Sequence, residues 1–549
     1  MRASRLDVTT GWAALLLGAF FLQGFVLIRT MSATADEVPF HIVNGYGYLK
    51  TRDYRMSPAN PALIREWLAL PFLLIRPKLD LNKNSWREAD SASFAYDFFY
   101  RDNRTNAERL LNSARFMNLV LGLALGWVIF VWSRSLYGNK GGLVSLAFYS
   151  FCPSFLAHAS IAHTDIGVSL FSLAAAFFLW KYLEAARPAD LWLFSLLLGL
   201  ACAAKYNALI FVPLFLLILW IKRGLILFLK ATFLVTVVSF FVIWASYGFE
   251  YKPILGGSVP RVEEKLADVS KISGRLFPAN PAAHDFIRKA ALEMPVPMPT
   301  YLLGLAAVTK AHGLPYRHFA FGEWTTHAHW YYYLFSFLIK MTLPFLCLLF
   351  LRALYFKKTA SDSKNENLTL LLPALTVFFI TCFDTAQVGV RYLFPAIPLL
   401  FVWAGGLVKL TDQSALWRWV LGSFLAMNLV TTLPSFPNYL SYFNPIASVL
   451  GGGYRYVRGS DVDWGQGLKA LKRYMEKEKI QMVTLRYFGP ADISFYGIRY
   501  ESLTEEEKVA PLKKVYAISL YYLEHVEWSK GMKPTALIGG SIFVYDFRK

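Results

Sequence analysis

Apolar runs long enough to cross a bilayer constrain this chain more than any other feature. A spanning helix needs about 20 mostly apolar residues. Eleven candidate segments follow one another: residues 11–29, 114–133, 142–158, 165–183, 190–204, 206–221, 224–247, 331–352, 367–383, 391–410 and 416–434. With 56% hydrophobic and 17% aromatic residues over 549 positions, the composition excludes an ordinary water-soluble globule. The expected fold class is a polytopic α-helical membrane protein of about 11 transmembrane helices.

Basic residues in the short connections orient the bundle. With "MRASR" on the cytoplasmic side, Arg134 with Lys140, Lys181 with Arg187, Lys222 with Arg223, Arg352 with Lys357 and Lys358, and Lys409 with Arg418 also fall in the cytoplasm. The long loops, about 30–113 and 248–330, then lie outside, as does everything after residue 434. The chain divides into a transmembrane module, 1–434, and a small extracytoplasmic α/β domain, 435–549. In the latter, "GLKALKRYMEKEK" reads as an amphipathic helix, and "QMVTLRYFG", "KVYAISLYYL" and "TALIGGSIFVYDF" read as strands. In the first outer loop Asn60 is expected to cap a helix opened by Pro61. Leu63, Ile64, Trp67, Leu68 and Leu70 would lay it on the membrane surface.

A net charge of +19 suits anionic lipid head groups or phosphorylated substrates, and in a membrane protein these partners come before nucleic acid. The four cysteines show no CxxC spacing, so neither a disulfide framework nor a zinc site is indicated.

The stretch "SATADEVPFH" allows two readings. Its A-x-A outline after an apolar run fits a secretory cleavage site, with Asp36 becoming the mature N-terminus. The run is longer than a usual signal core and other spans follow, which favours an uncleaved first helix. Asp36 and Glu37 then open an outer loop as paired carboxylates. Lys205 in "AAKYN" and Arg391 in "QVGVRYLFP" break the charge rule by sitting at outer helix ends, at the depth expected for Asp165, Asp384 and Asp36. Ionisable groups there are costly unless they pair or act, so this rim is the candidate site. Its bland reading is a set of salt bridges joining helix ends.

Lys340 is expected deep within 331–352, with Pro344 kinking that helix, and either structural pairing or anion binding would satisfy its ammonium. "HGLPYRHFAFGEWTTHAHWYYY" gathers His312, Arg317, His318, Glu323, His327 and His329. A divalent metal is possible there, although the spacing fits no specific metal motif. Phosphate or sugar contacts, and aromatic anchoring by Trp330 to Tyr333, are the competing readings. Asp461 and Asp463 in "DVDWGQG" either close a turn or bind an acceptor, the turn being favoured.

A carboxylate as base and two or three cations around a phosphate leaving group suffice for displacement at an anomeric carbon. The sequence resembles the bacterial glycosyltransferase family 39 and its relatives in the GT-C superfamily, which include protein O-mannosyltransferases and the lipid A aminoarabinose transferase. The resemblance is carried by "ADEVPFHIVNGYGYLKTRDYRMSPANPAL", "SFLAHASIAHTD", "AKYN", "YLLGL", "FGEW", "WYYYLFSFLIKMTLP", "RYLFPAIPLL" and "DVDWGQGLKALKRY". It implies an inverting transferase of the cell inner membrane that takes a sugar from a polyprenyl-phosphate donor to a lipid, glycan or protein acceptor. Asp36 matches the catalytic acidic residue and would act as base towards the acceptor, Glu37 belongs to the same motif or organises the loop, Asp165 matches the acidic residue of the second outer loop that would orient the acceptor, and Lys205 and Arg391 match basic positions for the lipid phosphate. A transporter or flippase of a lipid-linked sugar, and a non-catalytic sensor or assembly protein, are the alternatives.

Overall fold

The computed structural model describes residues 8–256, 263–267 and 280–548. The basic "MRASR" start and part of the expected loop 248–330 lie outside these.

Five described helices are long and apolar enough to cross a membrane: Val8–Thr30, Arg104–Ser150, Asp165–Ala185, Tyr206–Arg223 and Leu225–Ser246. A bent pair, Tyr332–Lys340 and Leu343–Leu354, makes up to six. The solvent of these helices is legible from their surfaces. Leu225–Ser246 has a mean hydropathy of 2.5 in its best window, of which only 17% is buried. Ile226 and Phe233 on it are more than 70% exposed. Such a helix is stable only where lipid covers it.

Several expected spans are interrupted where backbone or proline chemistry breaks the helical ladder. Segments 114–133 and 142–158 lie largely on one rod, Ala107–Ser150, broken at Gly138 (φ 75°, ψ −175°). Residues 151–158 are not part of it, because Pro153 restarts a separate short helix, Pro153–Ala159. Segment 190–204 is found as Pro188–Ala204, and Lys205 is extended before the next helix begins. Segment 331–352 is not one helix: it bends by 114° at Met341 and Thr342, both extended. Pro344 therefore opens the second half rather than kinking a continuous rod. Segments 367–383 and 391–410 are short helices, Leu371–Thr381 and Ile397–Ala404, flanked by irregular turns. Ala415–Thr432 is helical over 18 residues.

The helix expected from Pro61 starts at Ala62, and Asn60 does not cap it with its side chain. Its buried face is Ala62, Ile64, Arg65, Leu68, Ala69 and Phe72, not the Leu63–Trp67–Leu70 stripe. Arg65 explains the rotation. Its guanidinium is buried and donates to the carbonyls of Pro61, Phe40, Met56, Ser57 and Asn60, which ties two turns of the loop to this helix.

Two short antiparallel strand pairs sit in the second long loop: β1 (Tyr251–Pro253) with β2 (Pro295–Pro297), and the hairpin of β3 (His318–Ala320) with β4 (Glu323–Thr325). Residues 468–477 form the expected amphipathic helix. Beyond it lie β5 (Val483–Arg486), β6 (Tyr500–Ser502), β7 (Val515–Ser519), β8 (Ala536–Ile538) and β9 (Ile542–Asp546). They make one sheet in the order β6-β5-β7-β9-β8, with β5 parallel to β6 and β7, and β9 antiparallel to β7 and β8. This sheet is not detached from the helices, since Leu468, Leu471, Val483 and Val544 belong to the same apolar cluster as Phe20, Leu119 and Phe394.

Candidate active site

The site begins where the first helix ends. Ser32 and Ala35 are not free loop: Ser32 N–H donates to the Gln466 carbonyl (3.1 Å) and Ala35 N–H to the Trp464 carbonyl (2.8 Å). Ser32 Oγ donates to the Gly465 carbonyl (2.8 Å) and accepts from Leu468 N–H (3.1 Å). "SATA" thus runs beside "WGQG", and the bond after Ala35 lies inside the fold.

Glu37 follows, fully buried. Its carboxylate takes two donors from Arg115, Nε and Nη2, both at 2.7 Å. It also accepts from Ala162 N–H (2.7 Å), Thr34 N–H (2.9 Å) and Thr34 Oγ1 (2.9 Å). Burial pushes the carboxyl up, but the Arg115 guanidinium and these N–H donors outweigh it and bring its pKa below the ordinary value. With five donors on two oxygens, Glu37 has no lone pair left for a substrate, and of its two readings, catalytic member of the motif or organiser of the loop, this geometry fits the second, an anchor. Arg115 uses its other donors on the carbonyls of Ile28, Met31 and Ser32, fastening the end of the first helix. Arg115 was not anticipated. A basic residue at the outer end of an apolar run was its signal, the same one that pointed to Lys205 and Arg391.

Asp36, one residue earlier, points elsewhere. Its side chain keeps 25% exposure and meets Arg391 Nη1 at 3.0 Å. The same Nη1 lies 3.8 Å from Asp165 Oδ2. Asp165 is 2% exposed at the first turn of its helix; its other oxygen holds Lys205 Nζ, and His163 Nδ1 lies 3.2 Å from Oδ2. Four residues from four distant segments therefore form one cluster of two carboxylates and two cations. The Arg391 guanidinium stacks over Trp464 (4.5 Å), and Lys205 lies over Tyr392 (5.0 Å). His158 and His163 touch each other and flank the Trp464 ring at 5.9 and 5.8 Å. His41 is held well below its ordinary pKa, first by burial and then by the charges of Arg65, His163 and Arg391, which outweigh Asp165; it faces this cluster as a neutral ring.

Four buried nitrogens around this centre have no partner among the described residues: Arg391 Nε, His41 Nδ1, His158 Nε2 and His163 Nε2. Each buried, unmade hydrogen bond costs about 1–3 kcal/mol. Their gathering beside two paired carboxylates marks a place prepared for a polar ligand.

The remaining expected residues stand apart. Of the two readings open for Lys340, structural pairing and anion binding, the contacts fit the structural one. Lys340 is buried, donating to the Asp461 carbonyl (2.6 Å) and the Leu440 carbonyl (2.9 Å), beneath Phe443. Asp461 is wholly buried and accepts from Val390 N–H (2.9 Å) and Ser336 Oγ (3.0 Å), which pins the segment carrying Arg391. Asp463 closes a turn onto Gly465 N–H (3.2 Å) and accepts from Tyr521 N–H (3.4 Å). Burial pushes its carboxyl up to about 7.

His312 pairs with Asp384 (2.9 Å), and that hydrogen bond raises its pKa. His318 is buried, with Nδ1 against the Tyr316 carbonyl (2.9 Å), while Glu323 is exposed. Among the described residues no three His, Cys, Asp or Glu side chains converge as metal ligands, so the histidines gathered along this loop are not gathered in space as a ligand set.

Comparison with known proteins adds to this geometry. Residues 108–247 match the family model of dolichyl-phosphate-mannose-protein mannosyltransferase. No curated protein matches the chain. Among solved structures, ArnT from Cupriavidus metallidurans in the apo state is similar at 11% identity over 99% of each chain, with a TM-score of 0.46. The same protein bound to undecaprenyl phosphate is similar at 10% identity over 97% of this chain and 98% of that one, TM-score 0.45. An Archaeoglobus fulgidus oligosaccharyltransferase in complex with zinc and sulfate is similar at 13% identity over 77% of this chain and 52% of that one, TM-score 0.42.

Proposed function

We propose that the chain is a membrane glycosyltransferase of the GT-C superfamily, of the protein mannosyltransferase type, and that it moves a sugar from a polyprenyl-phosphate donor to an acceptor, with inversion. The observation that carries this reading is the Arg391 bridge between a reachable Asp36 and a sealed Asp165. The acceptor is a lipid, a glycan or a protein, and the reaction takes place at the outer face of the membrane.

The residues divide the chemistry by exposure. Asp36, the partly open carboxylate, takes the proton from the acceptor hydroxyl or amine as the new bond to the anomeric carbon forms. The bond from that carbon to the phosphate oxygen breaks, and its electron pair leaves with the lipid phosphate. Lys205 and Arg391 carry the positive charge that stabilises this leaving anion, and the unpartnered Arg391 Nε and His163 Nε2 supply further hydrogen bonding to the donor. Asp165 is a positioning residue: it holds Lys205, Arg391 and His163 in one constellation and is too buried to meet an acceptor. Attack opposite the leaving phosphate gives the inverted anomer.

The test is transfer from a defined polyprenyl-phosphate sugar by the purified protein in bilayers, with the product's anomeric configuration read by NMR. A product of inverted configuration is expected, whereas retention would overturn the single-displacement mechanism.

A further inference from the structure

Beside the proposed centre, rings from three separate segments form a ledge. Trp324 of β4 lies edge-on to Tyr521 (4.7 Å), and Tyr521 stacks flat on Phe488 (4.2 Å, 8°). Tyr522 adjoins Tyr521 at 5.2 Å. A guanidinium caps each end: Arg317 over Trp324 at 5.6 Å and Arg486 over Tyr522 at 4.5 Å. Both arginines are exposed, and neither forms an ion pair among the described residues. All four rings are only half-buried.

The ledge joins the site through the main chain. Tyr521 N–H donates to Asp463, and the next residue, Trp464, carries Arg391 on its ring. Trp324 Nε1 is shielded from water and meets no acceptor among the described residues. Of the acidic neighbours, strand alternation turns Glu323 to the face opposite Trp324, and the exposed Glu505 feels the charge of Arg486 without forming an ion pair with it.

We propose that this ledge binds a saccharide carrying an anionic group. The ring faces provide dispersion contact for the apolar C–H face of a sugar. Two unpaired guanidinia at opposite ends match a carboxylate or a phosphate, each able to bind it with paired N–H donors. In naming this ligand an acceptor, the inference rests on the proposed transfer reaction; the binding itself does not.

Calorimetric titration of the full chain in neutral-lipid nanodiscs, without donor, reads it directly. The probes are tetragalacturonate, neutral galactotetraose and a hexose phosphate. One of the two anionic probes is expected to bind at least about tenfold tighter than the neutral one, the scale of a charge-assisted hydrogen bond. The double variant Arg317→Gln, Arg486→Gln should lose this preference, and Tyr521→Ala should weaken all binding. The pair Lys477→Gln, Lys479→Gln, exposed cations on a different surface, should change nothing. Equal binding of acidic and neutral probes overturns the proposal. So does a preference that survives the arginine variant, which would belong to the overall charge of +19. Binding only to vesicles of anionic lipid would make the ledge a membrane contact and overturn it as well. Asp36→Asn enzyme that still transfers sugar would defeat the reaction above while leaving ledge binding intact, so the two failures are distinguishable.

Discussion

Replacing Glu37 with Gln probes the anchor that holds the proposed base. The Glu37–Arg115 pair has no solvent exposure on either side chain, and Glu37 receives five hydrogen bonds. The substituted side chain would set an amide N–H2 against donors that now meet a carboxylate oxygen, and would leave the Arg115 charge buried and unmatched. Breaking one partner of such a pair costs about 3–5 kcal/mol, a large part of the roughly 5–15 kcal/mol that stabilises a typical domain. Thermal unfolding of the detergent-solubilised variant should therefore begin well below wild type, with loss of activity because Asp36 is the adjoining residue. The pH dependence follows from the lowered pKa. The folded carboxyl lies below its unfolded value near 4.5, so the stabilisation is present above that pH and is lost as pH falls through the folded pKa. Wild type should lose this margin on acidification, and Glu37→Gln should show a flatter profile. A Glu37→Gln protein within about 0.5 kcal/mol of wild type, the usual range of a surface change, would refute the anchor.

Three other perturbations have definite outcomes. Lys205→Gln and Arg391→Gln should each lower kcat/KM for the lipid-phosphate donor by about ten- to a hundredfold, the value of one charge-assisted contact, as measured by steady-state kinetics in bilayers. Protein sequencing of material from the membrane should not find Asp36 at the N-terminus, because Ser32 to Ala35 are fastened to residues 464–468. Gly45→Ala should destabilise the first long loop, since the new methyl would strike the Arg65 carbonyl of the facing helix; reduced yield of folded protein by size-exclusion chromatography reads this.

The legible part of the centre was the two cations that disobeyed the rule orienting the helices, Lys205 and Arg391, and the carboxylates placed at the same depth. Lys205, Arg391, Asp165 and Asp36 were each expected at one rim, and each is found in one cluster. Arg115 obeyed the same logic and went unnoticed because it opens an otherwise ordinary apolar run. For Lys340 the choice between structural pairing and anion binding was not legible, because its partners are the carbonyls of Leu440 and Asp461, 100 and 121 positions away, and no periodicity reveals a carbonyl. Apolar runs located the helices but not their breaks. An extended Lys205 or Met341 depends on tertiary partners: Lys205 reaches Asp165 only because its helix stops there. The contribution of "WGQG" was hidden for a similar reason. Trp464 lies under Arg391, yet the two are brought together by backbone pairing with residues 32–35, more than 400 positions earlier.

The most direct test of the central claim is Asp36→Asn, assayed for sugar transfer from a polyprenyl-phosphate donor alongside donor binding. Asn keeps the shape but cannot take a proton, so transfer should fall by about 10²–10⁴-fold, the contribution of a general base, while donor affinity changes only a few-fold. Transfer within a few-fold of wild type would contradict the account.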